Sequence, residues 1–321
     1  AHFKPVIHLE YMYGRVDNPV KIENHANSQY GKISVLNETG RQENSYFKHY
    51  KSPYVGISFL VGYLGNKDVF GSIIGIYPQW TYHFFQEKSL SWDINLGSGF
   101  AFFTTPFNKV TNPDNKLIGS HFSNVTDIST NIVFRFHPKF LVRTGMGLVH
   151  VSNGHTAIPN IGLNDFTVRL GMIYKPGELV GLEMPKPQRH EKDSIWRKSI
   201  GVSVGRHELA YTTYPVDGPT YHIYSVMGYI SKQLSPINEI KFGLNYSYYR
   251  GYHTLIQHDE MYDYFKFFRS SVISLQVGHE FLMNHFGFVT DFGLKVVDPI
   301  YRNFFLKYDE TTSGWFKQYV T

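Results

Sequence analysis

The chain has 321 residues, room for one large domain or two ordinary ones, and a net charge of only +5. No run of Lys or Arg is long enough for a nucleic-acid footprint, and with no cysteine neither a disulfide framework nor a thiolate metal site can form. Aromatic residues reach 17 % beside 18 % charged ones, a balance unlike that of an ordinary soluble α/β enzyme and suited to a protein that displays aromatic surface.

No apolar stretch approaches the roughly 18 residues of a transmembrane helix, which leaves strands as the way across a membrane. The opening AHFKPVIHLEYMYGRV lacks the basic and apolar regions of an export signal and reads as a mature N-terminus. Strict alternation predicts strands over 6–16, 29–38, 53–65, 69–85, 90–104, 119–136, 139–152 and 164–175, and again over 197–209, 219–233, 238–250, 268–283, 287–297 and 303–318. In WDINLGSGFAF, Trp92, Ile94, Leu96, Phe100 and Phe102 share one face, while Asp93, Asn95, Gly97, Gly99 and Ala101 share the other. IKFGLNYSY sets Ile240, Phe242, Leu244, Tyr246 and Tyr248 against Lys241, Gly243, Asn245 and Ser247 in the same way. A soluble sandwich also alternates, but its polar face lies outside and is rich in Lys, Glu and Thr. Here that face mixes charges with glycine, as an enclosed lumen does.

Connection lengths agree with a bacterial barrel, which has short turns on one side and longer loops on the other. The links at 86–88, 137–139, 235–238 and 284–287 are short, and 105–118, 153–163, 210–218 and 251–267 alternate with them as outer loops. Two stretches, 39–52 and 176–196, are long on the short side. The expected fold is therefore an all-β, transmembrane, antiparallel up-and-down barrel in the bacterial outer membrane. It has about fourteen strands, with twelve as the alternative, and forms one domain over residues 1–321.

Chemistry concentrates in GLVHVSNGHTAIPNIGLNDF, residues 147–166. Along FLVRTGMGLVHVS, His150 and Ser152 share parity with Phe140, Val142, Met146 and Leu148, the lipid-facing set, at the end of a strand that leads into an outer loop. On the following strand Asn164 has outward parity with Phe166, Val168 and Leu170, whereas Asp165 points inward unless a bulge turns it. A nucleophile and a base two apart on one strand face are in reach of each other for acyl transfer, and a third polar group across the hairpin can fix the imidazole tautomer. Asn153, Asn160 and the backbone around Gly154 are candidate oxyanion donors. On pattern alone, wet interface residues account for the same positions equally well.

The run His150-Val-Ser152-Asn153, then Pro159-Asn160-x-Gly162 and a strand, resembles the PagL-type outer-membrane lipid A 3-O-deacylases, also called acyloxyacyl hydrolases. That family has an eight-stranded barrel with a His-x-Ser-Asn motif near the end of strand seven and a third catalytic residue at the start of strand eight. The resemblance is specific over about residues 140–176 and plausible over 1–176; it leaves 177–321 as additional strands. It implies an esterase in which Ser152 is the nucleophile, His150 the general base and Asn164 the third residue, acting on lipid A of lipopolysaccharide in the outer leaflet. The implied enzyme needs no cofactor and no metal. It leaves homodimerisation open. The family's third residue is typically Glu, so Asn164 implies weaker or differently tuned activity. The rival is a non-catalytic pore or structural barrel in which the His-Ser pair is idle.

Other constellations carry less. HLE (8–10), RHEL (206–209) and GHEF (278–281) each place His near Glu without the second His of a zinc helix. NPDNK (112–116) offers oxygen ligands for Ca²⁺, but reads first as a chain turn.

Overall fold

A computed structural model describes residues 5–17, 25–39, 53–86, 89–176, 196–209, 215–235, 237–283 and 286–300, and the chain divides into two compact units. The first is a closed antiparallel barrel of eight strands. These are β1 (Val6–Asp17), β2 (Ser28–Glu38), β3 (Tyr54–Tyr63), β4 (Ser72–Gln86), β5 (Leu90–Phe103), β6 (Phe122–His137), β7 (Phe140–Ser152) and β8 (Leu163–Tyr174). Each pairs with the next, and β1 returns to β8 in a continuous register from Ile7 opposite Tyr174 to Asp17 opposite Asn164.

Among the described residues the second unit is an antiparallel sheet of five strands in chain order: β9 (Trp196–Glu208), β10 (Thr220–Ser235), β11 (Asn238–Tyr249), β12 (Ser271–Met283) and β13 (Phe286–Val297). Between β11 and β12 the expected outer loop holds two short helices, α1 (Arg250–His258) and α2 (Lys266–Arg269). The alternation read from the sequence holds in this sheet, where Leu244 and Phe292 are 53 % and 71 % exposed on one face while Ser247, Ser274 and Gln276 are buried.

One barrel of about fourteen strands, or twelve, is therefore corrected. Both hydrogen-bonding edges of β8 are taken, one by β7 and the other by β1, so β9 has no edge on which to extend the first sheet. Alternation fixes which side of a strand is apolar but carries no term for where a sheet closes. The fourteenth expected strand, 303–318, lies outside the described residues, as do nearly all of the long connections 39–52 and 176–196.

The barrel is apolar outside and polar at its centre. Leu9, Ile33, Phe59, Ile76, Ile128 and Leu170 are exposed on the wall. Inside, Lys32 Nζ lies 2.9 Å from Glu10 and 2.8 Å from Asp127, Arg169 reaches Asp127 at 2.7 Å, and Arg143 reaches Asp93 at 3.4 Å. An eight-stranded barrel is just wide enough for side chains to fill, and these occupy its interior. Toward the end where β7 runs out, the filling turns apolar. Val149, Val151 and Leu163 pack with Phe70, Phe103, Leu117 and Ile118 in one buried cluster. That plug anchors the strand end whose opposite face carries His150 and Ser152.

Candidate active site

Period-two geometry places the site. With Val149 and Val151 held in the plug, His150 and Ser152 must leave the barrel on its outer wall. The β7–β8 register sets His150 directly opposite Asn164 and Val149 opposite Asp165, without a bulge between them. His150 Nδ1 accordingly lies 2.7 Å from Asn164 Oδ1. With the amide oxygen as acceptor, Nδ1 carries the proton and Nε2 is left with its lone pair. Asp165 points inward, is fully buried, and accepts a hydrogen bond from Tyr30 Oη at 2.5 Å. The charged neighbour is thus spent on the barrel interior, and the neutral one faces the imidazole.

Ser152 is held from the other side. Asn160 Nδ2 donates to Ser152 Oγ at 3.0 Å, and the Gly154 N–H donates to it at 3.3 Å. Of the three expected oxyanion donors, Asn160 and Gly154 therefore converge on the hydroxyl. The Asn153 side chain does not; its Nδ2 donates to Ala157 O at 2.8 Å and Ser120 Oγ at 3.2 Å, while its backbone N–H donates to Asn160 Oδ1 at 3.3 Å. Asn153 thus folds the loop and orients Asn160. In this structure the hydroxyl is bound by Asn160 and Gly154 rather than by the imidazole.

The loop from 153 to 162 needs special backbone to do this. Gly154 and Gly162 have φ of +65° and +82°, where glycine is favoured. A Cβ at Gly162 would stand 3.2 Å from the Val151 carbonyl and 3.6 Å from His150 Cε1. Sequence reasoning marked Gly162 only as part of a motif, and its positive φ is set by the tertiary path. The loop is also tied to its neighbour, since Ile161 N–H donates to Lys116 O at 3.3 Å and Gly162 N–H to Leu117 O at 3.1 Å. In that neighbour, Asn112 Nδ2 donates to Val69 O and Pro106 O, each at 2.9 Å, and Asn115 Oδ1 accepts from Leu117 N–H and Ile118 N–H. NPDNK is a loop clasp built from asparagines.

Below His150, the outer wall carries an open groove of about 740 Å³. Phe166, Leu148 and Ile128 line it one row deeper than the His150–Asn164 pair, with Val168 and Met146 a further row down. Beside it, three polar side chains that the sequence reading passed over interrupt the wall. Ser98 of β5 and Asn124 and Thr126 of β6 hydrogen-bond among themselves, with Ser98 Oγ and Thr126 Oγ1 3.1 Å apart and Thr126 Oγ1 donating to Asn124 Oδ1 at 3.1 Å. Their signal was legible, because each is a polar residue at outward parity in an otherwise apolar series.

A protein-family model described as lipid A 3-O-deacylase (PagL) matches residues 38–173, and one described as acyloxyacyl hydrolase, C-terminal domain, matches residues 196–311. The two matches fall on the barrel and on the second sheet respectively. No curated protein sequence matches the chain. Among solved structures, Neisserial surface protein A is 9 % identical with a TM-score of 0.39, covering 53 % of this chain and 96 % of that one. The outer-membrane enzyme PagL is 15 % identical with a TM-score of 0.35, covering 51 % and 97 %. The attachment invasion locus protein Ail of Yersinia pestis is 15 % identical with a TM-score of 0.30, covering 54 % and 99 %.

Proposed function

The chain belongs to the PagL family of outer-membrane lipid A 3-O-deacylases, and from that premise we propose that Ser152 and His150 hydrolyse the 3-O acyl ester on the lipid-facing wall of the barrel. The observation that carries this reading is the outward face itself. A serine hydroxyl held by two hydrogen-bond donors, and an imidazole whose Nδ1 is occupied, stand two residues apart at the end of one strand above an apolar groove.

In the proposed reaction the Ser152 proton passes to His150 Nε2 as Oγ bonds to the ester carbonyl carbon. Approach of imidazole to hydroxyl is completed when substrate takes over the Asn160 and Gly154 donors; catalytic hydrogen bonds commonly tighten only in the complex. The two donors, already aimed at Oγ, turn to the carbonyl oxygen two bonds away, where negative charge develops, and stabilise it there. The tetrahedral intermediate expels the sugar oxygen, which takes the proton from His150. Water, deprotonated by the same nitrogen, then bonds to the acyl carbon, the C–Oγ bond breaks, and Ser152 Oγ recovers the proton from His150 as the fatty acid leaves. The groove receives the chain, so the ester reaches Oγ without the acyl tail leaving the leaflet.

The test is mass spectrometry of lipid A from cells expressing the wild type, Ser152→Ala or His150→Ala. The wild type is expected to remove one ester-linked acyl chain, and each variant to remove none while keeping the heat-dependent gel mobility of a folded barrel. Full deacylation by either variant overturns the assigned roles.

A further inference from the structure

The polar interruption of the wall formed by Ser98, Asn124 and Thr126 is placed by register beside the site. Ser98 lies opposite Thr126, Thr126 opposite His150, and His150 opposite Asn164, a single row across four strands. One step nearer the strand end, Asn124 lies directly opposite Ser152. The group is closed on itself, since Asn124 Nδ2 donates to Gly99 O at 2.9 Å and to Ser98 Oγ at 3.3 Å.

Headgroup-level hydration does not explain it. Phe122 and Phe100 stand beside and beyond Asn124 toward the strand end, 73 % and 77 % exposed, while Leu96 and Ile128 follow on the membrane side. A polar patch is thus bracketed by apolar side chains on a surface where polar groups are disfavoured unless paired. With their hydrogens committed within the group, its members leave oxygen lone pairs for a ligand lying on the wall.

We propose that Ser98, Asn124 and Thr126 bind the amide linkage of the substrate's neighbouring acyl chain, the one the enzyme does not cut, and so select an acylated amino sugar over a lipid with esters alone. The inference rests on the serine-esterase reading above. In a glucosamine lipid the carbon beside the 3-O ester carries an amide-linked chain, so ester and amide carbonyls sit side by side. Strands are spaced about 4.8 Å apart, which puts Asn124 one strand away from Ser152 at the same height. With the ester on Ser152, its chain descends the wall past Leu148 and Phe166, and the second chain descends past Thr126 and Ile128. Its amide N–H then meets a lone pair of a hydroxyl oxygen or of Asn124 Oδ1. An ester in that place has no N–H to give.

The test uses the full chain in detergent and two synthetic glucosamine-type probes, one acylated at O3 and N2 and the other with an O2 ester replacing the N2 amide. The wild type is expected to favour the amide probe by roughly tenfold in kcat/KM, mainly through KM. Ser98→Ala/Asn124→Leu/Thr126→Val is expected to lose that preference while hydrolysing the ester probe as the wild type does. The single variant Asn124→Leu, which removes the Oδ1 acceptor at about the same volume, is expected to move the preference the same way, and gel mobility checks folding of both variants. Retained preference, or an equal loss on both probes, overturns the proposal. Hydrolysis of the probes by Ser152→Ala overturns the underlying reading instead, and is told apart because it involves no change at the polar patch.

Discussion

At the residue scale, the most informative feature is Asn164, which stands where the resemblance implies a glutamate. Asn164 accepts from His150 and so sets the tautomer, but brings no charge to steady an imidazolium. Removing the acceptor, as in Asn164→Ala, is expected to lower kcat/KM by about 10- to 100-fold, the range of one hydrogen bond to a charged partner. Asn164→Glu restores an anion at the same outward position and is expected to match or exceed wild-type kcat/KM. A glutamate variant slower than the alanine one would show that Asn164 does not act through the imidazole. Asp165 cannot substitute for it, because parity commits that carboxylate to Tyr30 inside the barrel.

At the scale of elements, the candidate site is two strand ends plus one loop. β7 supplies His150 and Ser152, β8 supplies Asn164, and the 153–162 loop supplies Asn160 and the Gly154 N–H. That loop leans on residues 116–117 through two backbone hydrogen bonds, and those residues are themselves fixed by Asn115. Asn115→Ala is therefore expected to reduce kcat several-fold from outside the reacting groups, by loosening Asn160 by way of Gly162 and Ile161. Its check is the steady-state rate on lipid A beside unchanged barrel melting; an unaltered rate would mean that the clasp does not reach the site. The strands and their facing were legible in the sequence because alternation is a local property of each segment. The clasp was not, because Asn112 also donates to the carbonyl of Val69, which only the folded chain brings near.

At the scale of the whole molecule, the barrel inverts the usual arrangement, with apolar residues outward and charges within. Lys32, Glu10, Asp127, Arg169, Arg143 and Asp93 form a nearly solvent-free network whose members are each other's solvation. Replacing Lys32 by Met leaves Glu10 and Asp127 short of a cation. It is expected to destabilise the barrel by about 3–5 kcal/mol, the typical consequence of breaking a buried pair from one side. The measurement is the denaturant midpoint of the folded gel band; an unchanged midpoint would contradict the network's structural role. Deacylation by the protein that remains folded is expected to persist, since Lys32 faces the lumen and the site faces the lipid.

By itself the sequence determined that the chain is a membrane-facing β protein and that His150, Ser152 and Asn164 look outward together, because side-chain direction follows from counting along a strand. It also supplied the motif through which the family is recognised. Only the tertiary structure decided that the barrel closes at eight strands, that β9 to β13 form their own sheet, and that Asn160 rather than the Asn153 side chain reaches Ser152. Closure and loop contacts depend on which distant segments pair, and such pairing is a competition among all available edges and donors that no local period records.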